Sequence, residues 1–301
     1  MAAWTRAFRL KARAKLNLTL YVGAVLPNGL HELRSLAASL TLADDVLFEP
    51  HDGDFGVICE GLDIPERDNL AFRAAAALGV KARGVRIRVG KRIPARAGLG
   101  GGSADAAAAL IGLARISREG GSVEYSDAEL NAAAAALGSD VPACLLAGFK
   151  AIAGTGDLVH PLSIASPPWG VALLKPADGL STEVAYKLID TNADDLQRSS
   201  ESIARRDRSG DLSAHVRSGM YAEFCKSLHN DFDSMVRRDL PDVARAHDRL
   251  RSAGADATML CGSGSTVAGI FRSVADAEAA LARIALARDE WSAAAGFSDG
   301  E

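Results

Sequence analysis

The length, composition and charge of the chain exclude several classes of protein. Its 301 residues exceed the length of a typical single domain, so we expect two domains, each with its own core. Hydrophobic residues make up 48% and charged residues 24%, as in ordinary globular proteins. A net charge of −4 gives no general footprint for nucleic acid. No run reaches the roughly 18 to 20 apolar residues of a membrane helix. We therefore expect neither a nucleic-acid nor a membrane partner.

The N-terminal residues and the cysteines predict a cytoplasmic protein. The opening MAAWTRAFRLKARAK has no apolar core of signal-peptide length. Cys59, Cys144, Cys225 and Cys261 lie far apart without a CxxC pair, which argues against a zinc site or a disulfide framework. The partner we expect is a small molecule, bound by a monomer or a homodimer.

Strand and helix patterns alternate through the N-terminal half. Residues 6–25 alternate apolar and polar positions as a strand does. The pattern returns at 85–93, where Val85, Ile87 and Val89 share one face. Helices are predicted at 69–78, at 103–116 and at 126–137, the last with a capping box of Ser126 and Glu129 and a stop at Gly138.

A proline-interrupted stretch at 163–170, SIASPPWG, marks the predicted domain boundary. We place the domains at 1–165 and 166–301. The second half predicts a strand at 170–176, a helix at 182–190, a strand, glycine turn and strand over 257–271, and a helix at 276–291. The polar segment 194–212 predicts a solvated helix or a mobile insertion. Interleaved strands and helices without a repeat predict an α+β fold.

The stretch IPARAGLGGGSADAAAAL, residues 93–110, places Gly98, Gly100, Gly101 and Gly102 directly before a helix pattern. A helix N-terminus presents unpaired N–H groups, and glycines let a phosphate approach the backbone closely. No Gly-Lys-Ser/Thr ends the loop, and Ser103 replaces the third glycine of a dinucleotide fingerprint. Taken alone, the stretch supports a phosphate cradle and a plain strand-to-helix connection about equally.

Three further features are ordinary when each is taken alone. Lys15 and Asn17 lie two apart, hence on one face of a strand, but a lone lysine is usually solvated. Asp140 follows a helix stop and precedes a proline, where an aspartate is most often an N-cap. Gly262-Ser263-Gly264 is most simply a β-turn. These features become informative only as an ordered set.

As an ordered set, KxN, NGLHE (28–32), IPARAGLGGGSADAA, GSDVP and a late GSGS resemble the galactokinase, homoserine, mevalonate and phosphomevalonate (GHMP) kinases. Within that family they are most similar to the members that phosphorylate 4-diphosphocytidyl-2-C-methyl-D-erythritol. The similarity extends over roughly residues 11–272. It implies an N-terminal domain like the second domain of ribosomal protein S5, a ferredoxin-like C-terminal domain and an active site between them.

The resemblance implies transfer of the ATP γ-phosphoryl to the 2-hydroxyl of this diphosphocytidyl alcohol, with Mg²⁺, in the non-mevalonate isoprenoid pathway. It identifies Asp140 as the general base and Lys15 as the group that keeps Asp140 ionised and stabilises charge on the reacting atoms. Asn17 would orient that pair and the substrate. Ser103 would also approach Mg²⁺. The implied ATP-binding loop residues are Pro94, Gly98, Leu99, Gly100, Gly101, Gly102, Ser103 and Ala104.

Contacts to the two nucleobases are also implied by the resemblance. His31 would hydrogen-bond the cytosine, with Thr182 and Tyr186 beside it. Asn69 and Lys91 match contacts on the adenosine side. The structural alternatives are a histidine with no ligand for His31, a helix cap for Asn69 and a solvated side chain for Lys91.

The sequence departs from the family pattern at four positions. Leu30 replaces a tyrosine, Arg96 a small residue, Ala104 a serine, and Arg13 a proline. Two rival hypotheses remain open. Leu30 favours a GHMP kinase that acts on another small alcohol, such as a mevalonate- or homoserine-like one. A nucleotide-binding protein without catalysis is the other, and the intact Lys15 and Asp140 argue against it.

Overall fold

The computed structural model describes residues 4–61, 64–80, 82–177, 179–191 and 199–300. They pack as two compact units. Unit 1 consists of the described parts of 1–14, 43–95 and 100–146, and unit 2 of the described parts of 15–42, 96–99 and 147–301. Neither unit is a continuous stretch, so the two units are a different division from the linear boundary at 165/166. That boundary stays a prediction.

Helices and strands occur in both units, which confirms the α+β fold. Two long strands, β1 (Phe8–Val25) and β2 (His31–Pro50), contribute residues to both units. In the parts of the chain that the structure describes, no helix combines the length and the apolar character needed to span a membrane.

Unit 1 contains a small sheet covered by alanine-rich helices. The end of β2 pairs antiparallel with β4 (Val85–Gly90), and β3 (Gly56–Glu60) runs parallel to β4. Val85, Ile87 and Val89 are buried, as their spacing predicts. The helices are α1 (Leu70–Ala77), α2 (Gly101–Glu119), α3 (Asp127–Leu137) and the short α4 (Val141–Leu145). The small alanine side chains of α1 and α2 let these helices pack closely in one core.

The predicted ends of α3 are confirmed. The Ser126 hydroxyl accepts from the Glu129 amide, the Glu129 carboxylate accepts from the Ser126 amide, and Gly138 follows the last turn. Helix α2 begins two residues before its predicted start because Gly101 and Gly102 already have helical geometry.

Replacing Ser126 with Ala should lower the free energy of unfolding by about 1 kcal/mol, because the Glu129 amide in the first turn of α3 loses its acceptor. Urea denaturation of the two proteins measures the difference. Ser126→Thr keeps the capping hydroxyl and should stay close to the wild type. Equal loss in both variants would contradict the assignment of the cap.

Unit 2 contains two groups of paired strands. The strands it adds are β5 (Phe149–Ala153), β6 (Leu158–Leu162), β7 (Gly170–Lys175), β8 (His229–Asn230), β9 (Ala257–Leu260), β10 (Val267–Phe271) and β11 (Trp291–Gly296). Strands β2, β5 and β6 pair antiparallel, and β8 pairs parallel with β1. A separate antiparallel sheet has the order β11-β7-β10-β9.

Among its described residues, unit 2 also has the helices α5 (Thr182–Thr191), α6 (Ser200–Arg206), α7 (Ser209–Arg217), α8 (Tyr221–Ser227), α9 (Asp233–Asp239), α10 (Pro241–Ser252) and α11 (Val274–Ala282). The predicted strand at 170–176, the helix at 182–190 and the strand pair over 257–271 are confirmed.

Two predictions for the C-terminal half need correction. The helix predicted at 276–291 ends at Ala282, because the chain then turns, with Asp289 at a φ of 67°, into β11. The polar segment 194–212 begins with residues that lie outside the described ones. Its remainder forms α6 and the start of α7, where Ile203 and Leu212 are fully buried, so this part is a packed amphipathic pair of helices rather than a solvated one.

Candidate active site

The glycine loop connects β4 to the first turn of α2. Gly98 and Gly100 have φ angles of 74° and 70°, in the left-handed region that favours glycine. Gly100 is the N-cap of α2, and no side chain of the described chain caps that helix. The first amides of a 19-residue helix are therefore left without a capping side chain, and the helix dipole adds partial positive charge there. The predicted helix is confirmed, and this terminus has the chemistry of an anion site.

The loop packs against the late glycine turn of unit 2. A Cβ atom on Gly98 would lie only 1.8 Å from the carbonyl oxygen of Cys261. The side-chain NH₂ group of Asn230 donates to the carbonyl oxygens of Leu260 and Gly262, both at 2.8 Å, and so holds this turn in place. Two motifs that are far apart in the sequence therefore meet backbone to backbone at Gly98, where no other residue fits.

Lys15 lies on β1 beside the same loop. Its backbone amide donates to the Leu99 carbonyl at 2.9 Å, and its ammonium donates to Asn17 Oδ1 at 2.6 Å. The Lys15 residue is only 5% exposed. It is thus not the solvated surface lysine that a lone lysine usually is. The shared strand face of Lys15 and Asn17 is confirmed.

Asp140 belongs to unit 1, where it is the N-cap residue of α4. Its side chain makes no capping hydrogen bond to that helix, so capping does not explain the aspartate. The next three residues, Val141, Pro142 and Ala143, are buried and anchor the helix. Lys15 belongs to unit 2. The catalytic roles of both residues stay predictions.

His31 and Tyr186 form a stacked pair in unit 2, with ring centroids 4.9 Å apart. His31 Nδ1 lies 3.0 Å from the Gly23 carbonyl oxygen, which can only accept, so Nδ1 carries a hydrogen. The other ring nitrogen, Nε2, lies 3.3 Å from Asp190 Oδ1. Thr182 contacts the hydroxyl of Ser263 at 3.2 Å, in the late glycine turn. The structure therefore places His31 against Tyr186, and Thr182 lies one turn before Tyr186 on the same helix.

Asn69 and Lys91 both have structural partners in unit 1. Asn69 Oδ1 accepts from the Ala71 amide at 2.9 Å and caps α1. The Lys91 ammonium donates to Asp44 and, at 2.7 Å, to Asp105. The alternative that Lys91 is solvated is wrong, because its side chain is 11% exposed. The adenosine contacts of both residues stay predictions.

The two carboxylates around Lys91 connect β2 to the beginning and end of the glycine loop. Asp44 is fully buried and also accepts from the amides of Arg92 and Ile93. Asp105 lies in the second turn of α2. Sequence reasoning missed both residues. For Asp44 the available signal was its place within the apolar run LTLADDVLF, since a buried acid requires a partner.

Burial raises the pKa of Asp105 to about 7, against the attraction of the Lys91 ammonium and with the help of the Asp44 charge. Its Oδ1 atom is buried and has no hydrogen-bond partner within the described ranges. The ionised carboxylate is therefore held at a cost that the protonated form avoids.

Replacing Asp105 with Asn should stabilise the protein at pH 8 and flatten its pH dependence. Between about pH 4 and pH 7 the unfolded chain has lost this proton while the folded protein keeps it, so the free energy of unfolding falls as the pH rises. The variant should be more stable at pH 8 by on the order of 1–3 kcal/mol and similar to the wild type near pH 4. Urea denaturation at both pH values measures this, and an unchanged slope in the variant would contradict it.

Arg96 occupies the exposed start of the loop segment that belongs to unit 2. Its φ of 53° lies in the left-handed region, where a side chain costs roughly 1 kcal/mol. The family pattern has a small residue at this position, and the backbone here has the conformation that glycine prefers.

Comparisons with known proteins identify the family. The family model for the GHMP kinases N terminal domain matches residues 69–148, and that for the GHMP kinases C terminal domain matches 214–287. A curated 4-diphosphocytidyl-2-C-methyl-D-erythritol kinase of Pelotomaculum thermopropionicum is 37% identical over 278 residues, which cover 90% of this chain and 92% of that protein.

Solved structures share the fold. A crystal structure of 4-(cytidine 5'-diphospho)-2C-methyl-D-erythritol kinase matches with a TM-score of 0.75 and 28% identity, over 96% of this chain and 99% of that one. The L. major mevalonate kinase matches with a TM-score of 0.71 at 14% identity, over 100% and 99%, which shows the fold alone. With both family domains matched and a curated relative aligned along nearly its whole length, the chain belongs to the GHMP kinases.

Proposed function

We propose that the protein transfers the γ-phosphoryl group of ATP to the 2-hydroxyl of 4-diphosphocytidyl-2-C-methyl-D-erythritol. The observation that carries this proposal is the 37% sequence identity, over 90% of this chain, to a curated kinase of that name. Those relatives are far more similar to this chain in sequence than the mevalonate kinase that shares only its fold.

Gly102 is the open position of the glycine loop, where the phosphates of ATP would bind. A Cβ atom built on Gly102 would meet nothing within 4 Å, so the first turn of α2 is open at that point. Bound ATP would supply the phosphoryl group, with ADP as the leaving group. The loop amides and the helix dipole would hold the phosphates without any Walker lysine.

Mg²⁺ would take few ligands from the protein. Throughout the described ranges, no group of three or more His, Cys, Asp or Glu side chains has the arrangement of a metal site. Mg²⁺ keeps several waters and binds substrate phosphates in phosphoryl-transfer enzymes. We therefore assign the Ser103 hydroxyl, at the start of α2, as the protein's contribution.

Asp140 would accept the proton of the attacking 2-hydroxyl as general base, the role that the family resemblance implies, and capping of α4 does not account for its carboxylate. Lys15 would supply positive charge that stabilises negative charge on the reacting oxygens. Phosphoryl transfer requires mainly such positioning and charge stabilisation.

The cytidine end of the substrate would bind at the His31 and Tyr186 pair. Tyr186 offers an aromatic face for the base, and the His31 ring presents a polar edge. Leu30 is 51% exposed and cannot supply the second aromatic wall. This observation favours the second candidate, a GHMP kinase for another small alcohol.

Measured turnover separates the two candidates. The rate of ATP-dependent phosphorylation is measured for the diphosphocytidyl alcohol, mevalonate and homoserine at matched concentrations. We expect the diphosphocytidyl alcohol to react fastest. Equal or faster turnover of either other alcohol would transfer the proposal to that substrate. No ATP consumption with any of the three would overturn the kinase assignment to these alcohols.

We also propose that the enzyme works in the cytoplasm as a monomer or a homodimer. The four cysteines are free thiols, which supports a reducing compartment.

A further inference from the structure

Four buried polar groups form a directed chain of hydrogen bonds that begins at Lys15. The Lys15 ammonium donates to Asn17 Oδ1 at 2.6 Å, and Asn17 Nδ2 donates to Ser35 Oγ at 2.8 Å. The Ser35 hydroxyl in turn donates to the Thr19 carbonyl oxygen at 2.5 Å. Ser35 and Asn17 are each 3% exposed, so water does not compete for these partners.

The strands place these groups together. Lys15, Asn17 and Thr19 are spaced by two along β1 and therefore point to the same face. Ser35 lies on β2, and the next residue, Leu36, donates its amide to Thr19 Oγ1 at 2.8 Å. This backbone contact fixes the register that brings Ser35 next to Asn17.

The chain has only one consistent direction. A serine hydroxyl has one hydrogen, and Ser35 donates it to the Thr19 carbonyl, which can only accept. Ser35 Oγ is then left as an acceptor, so Asn17 must present its NH₂ group to it. The Asn17 oxygen consequently points to the Lys15 ammonium, which can only donate. The opposite orientation of the Asn17 amide would place its NH₂ group against the Lys15 ammonium, a donor facing a donor.

We propose that Ser35 is a positioning residue for phosphoryl transfer. Ser35 acts through Asn17: it sets which end of the Asn17 amide faces Lys15, and so gives the ammonium a fixed acceptor and a fixed place. The inference rests on the proposed function only in that Lys15 takes part in the reaction. A buried serine, asparagine and lysine in a strand would otherwise be costly, since apolar side chains fill such positions without any need for partners.

The first test is the kinetics of Ser35→Ala. Without the hydroxyl the Asn17 amide loses its orienting acceptor, so kcat should fall about 10-fold while KM for both substrates changes less than about 2-fold. Ser35→Thr keeps the hydroxyl and should recover most of the lost kcat. The control is Ser213→Ala, which removes a buried serine hydroxyl that donates to the Gly210 carbonyl elsewhere in unit 2. It should leave kcat unchanged.

A double-mutant cycle distinguishes positioning from a general structural role. In an Asn17→Ala background Ser35 has nothing to orient, so adding Ser35→Ala should change kcat by less than about 2-fold. A structural role would instead lower kcat by the same factor in both backgrounds, and that result would overturn the proposal. So would full kcat in a folded Ser35→Ala protein. If Ser35→Ala does not fold, Ser35→Cys, a weaker acceptor of similar size, is measured with the same expectations.

Failure of the proposed function has a different signature. A wild-type protein that does not phosphorylate the diphosphocytidyl alcohol contradicts that function. The cycle is then measured on the alcohol that the wild type does phosphorylate, where equal losses in the two backgrounds still overturn the role of Ser35.

Discussion

The Asp140→Asn variant is expected to bind ATP normally and to lose most of its phosphoryl transfer. The amide keeps the size of the side chain but cannot accept a proton, and general-base catalysis contributes roughly 10²- to 10⁴-fold. We therefore expect kcat to fall within that range while KM for ATP stays within about 2-fold. Steady-state kinetics with the diphosphocytidyl alcohol measures both constants. The amide leaves the end of α4 unchanged, because the carboxylate does not cap that helix.

The matched control for this variant is Asp127→Asn. Asp127 is an exposed acid in the first turn of α3, also in unit 1, and the same exchange there should leave kcat unchanged. Comparable losses in the two variants would point to a general charge effect. Unchanged turnover in Asp140→Asn would remove Asp140 from the mechanism.

The second large effect is expected from Gly98→Ala. The new Cβ would lie 1.8 Å from the Cys261 carbonyl oxygen, and the residue would have to keep a φ of 74°. Backbone atoms cannot yield as a flexible side chain would, so the loop and the late glycine turn must separate. We expect a loss of about 2–4 kcal/mol in the free energy of unfolding, measured by urea denaturation.

Gly102→Ala is the informative partner of that variant. It adds the same methyl group in a helical position where nothing lies within 4 Å. We expect unchanged or slightly higher stability, because Ala is favoured in helices by about 0.5–1 kcal/mol. Affinity for an ATP analogue, measured by calorimetry, should fall if phosphates bind there. Retained affinity would contradict the cradle.

Gly101→Val would be a poorer test of the same cradle. A Cβ atom there already lies 2.9 Å from the Ile93 side chain and 3.4 Å from the Lys91 ammonium. The larger valine would disturb packing inside unit 1, and a loss of ATP binding would then have two explanations.

Local signals account for the elements that the sequence predicts well. Helix α3 is bounded by Ser126, Glu129 and Gly138, each of which acts on backbone groups within four residues. Strand β4 alternates cleanly because one face is buried and the other is partly exposed. Strand β2 shows the opposite case. Six consecutive residues, 35–40, are buried, so both faces are covered and no alternation marks this part of the strand.

The same distinction applies to the site. Lys15, Asn17 and the glycine loop lie in short motifs that the sequence presents directly. Ser35 and Asp44 do not, because their partners come from another strand and from the beginning of the loop. A serine in a strand and an acid in an apolar run have no local meaning until strand pairing supplies their partners.

The interleaved composition of the two units has a consequence for synthesis on the ribosome. All segments of unit 1 have been made once residue 146 is added, so that unit can fold while the chain is still growing. Unit 2 includes residues 15–42, made at the start, yet Thr19 pairs with His229 and the sheet edge at β11 comes last. The segment that carries Lys15 is therefore translated early, but the strand that pairs with it at Thr19 is translated late.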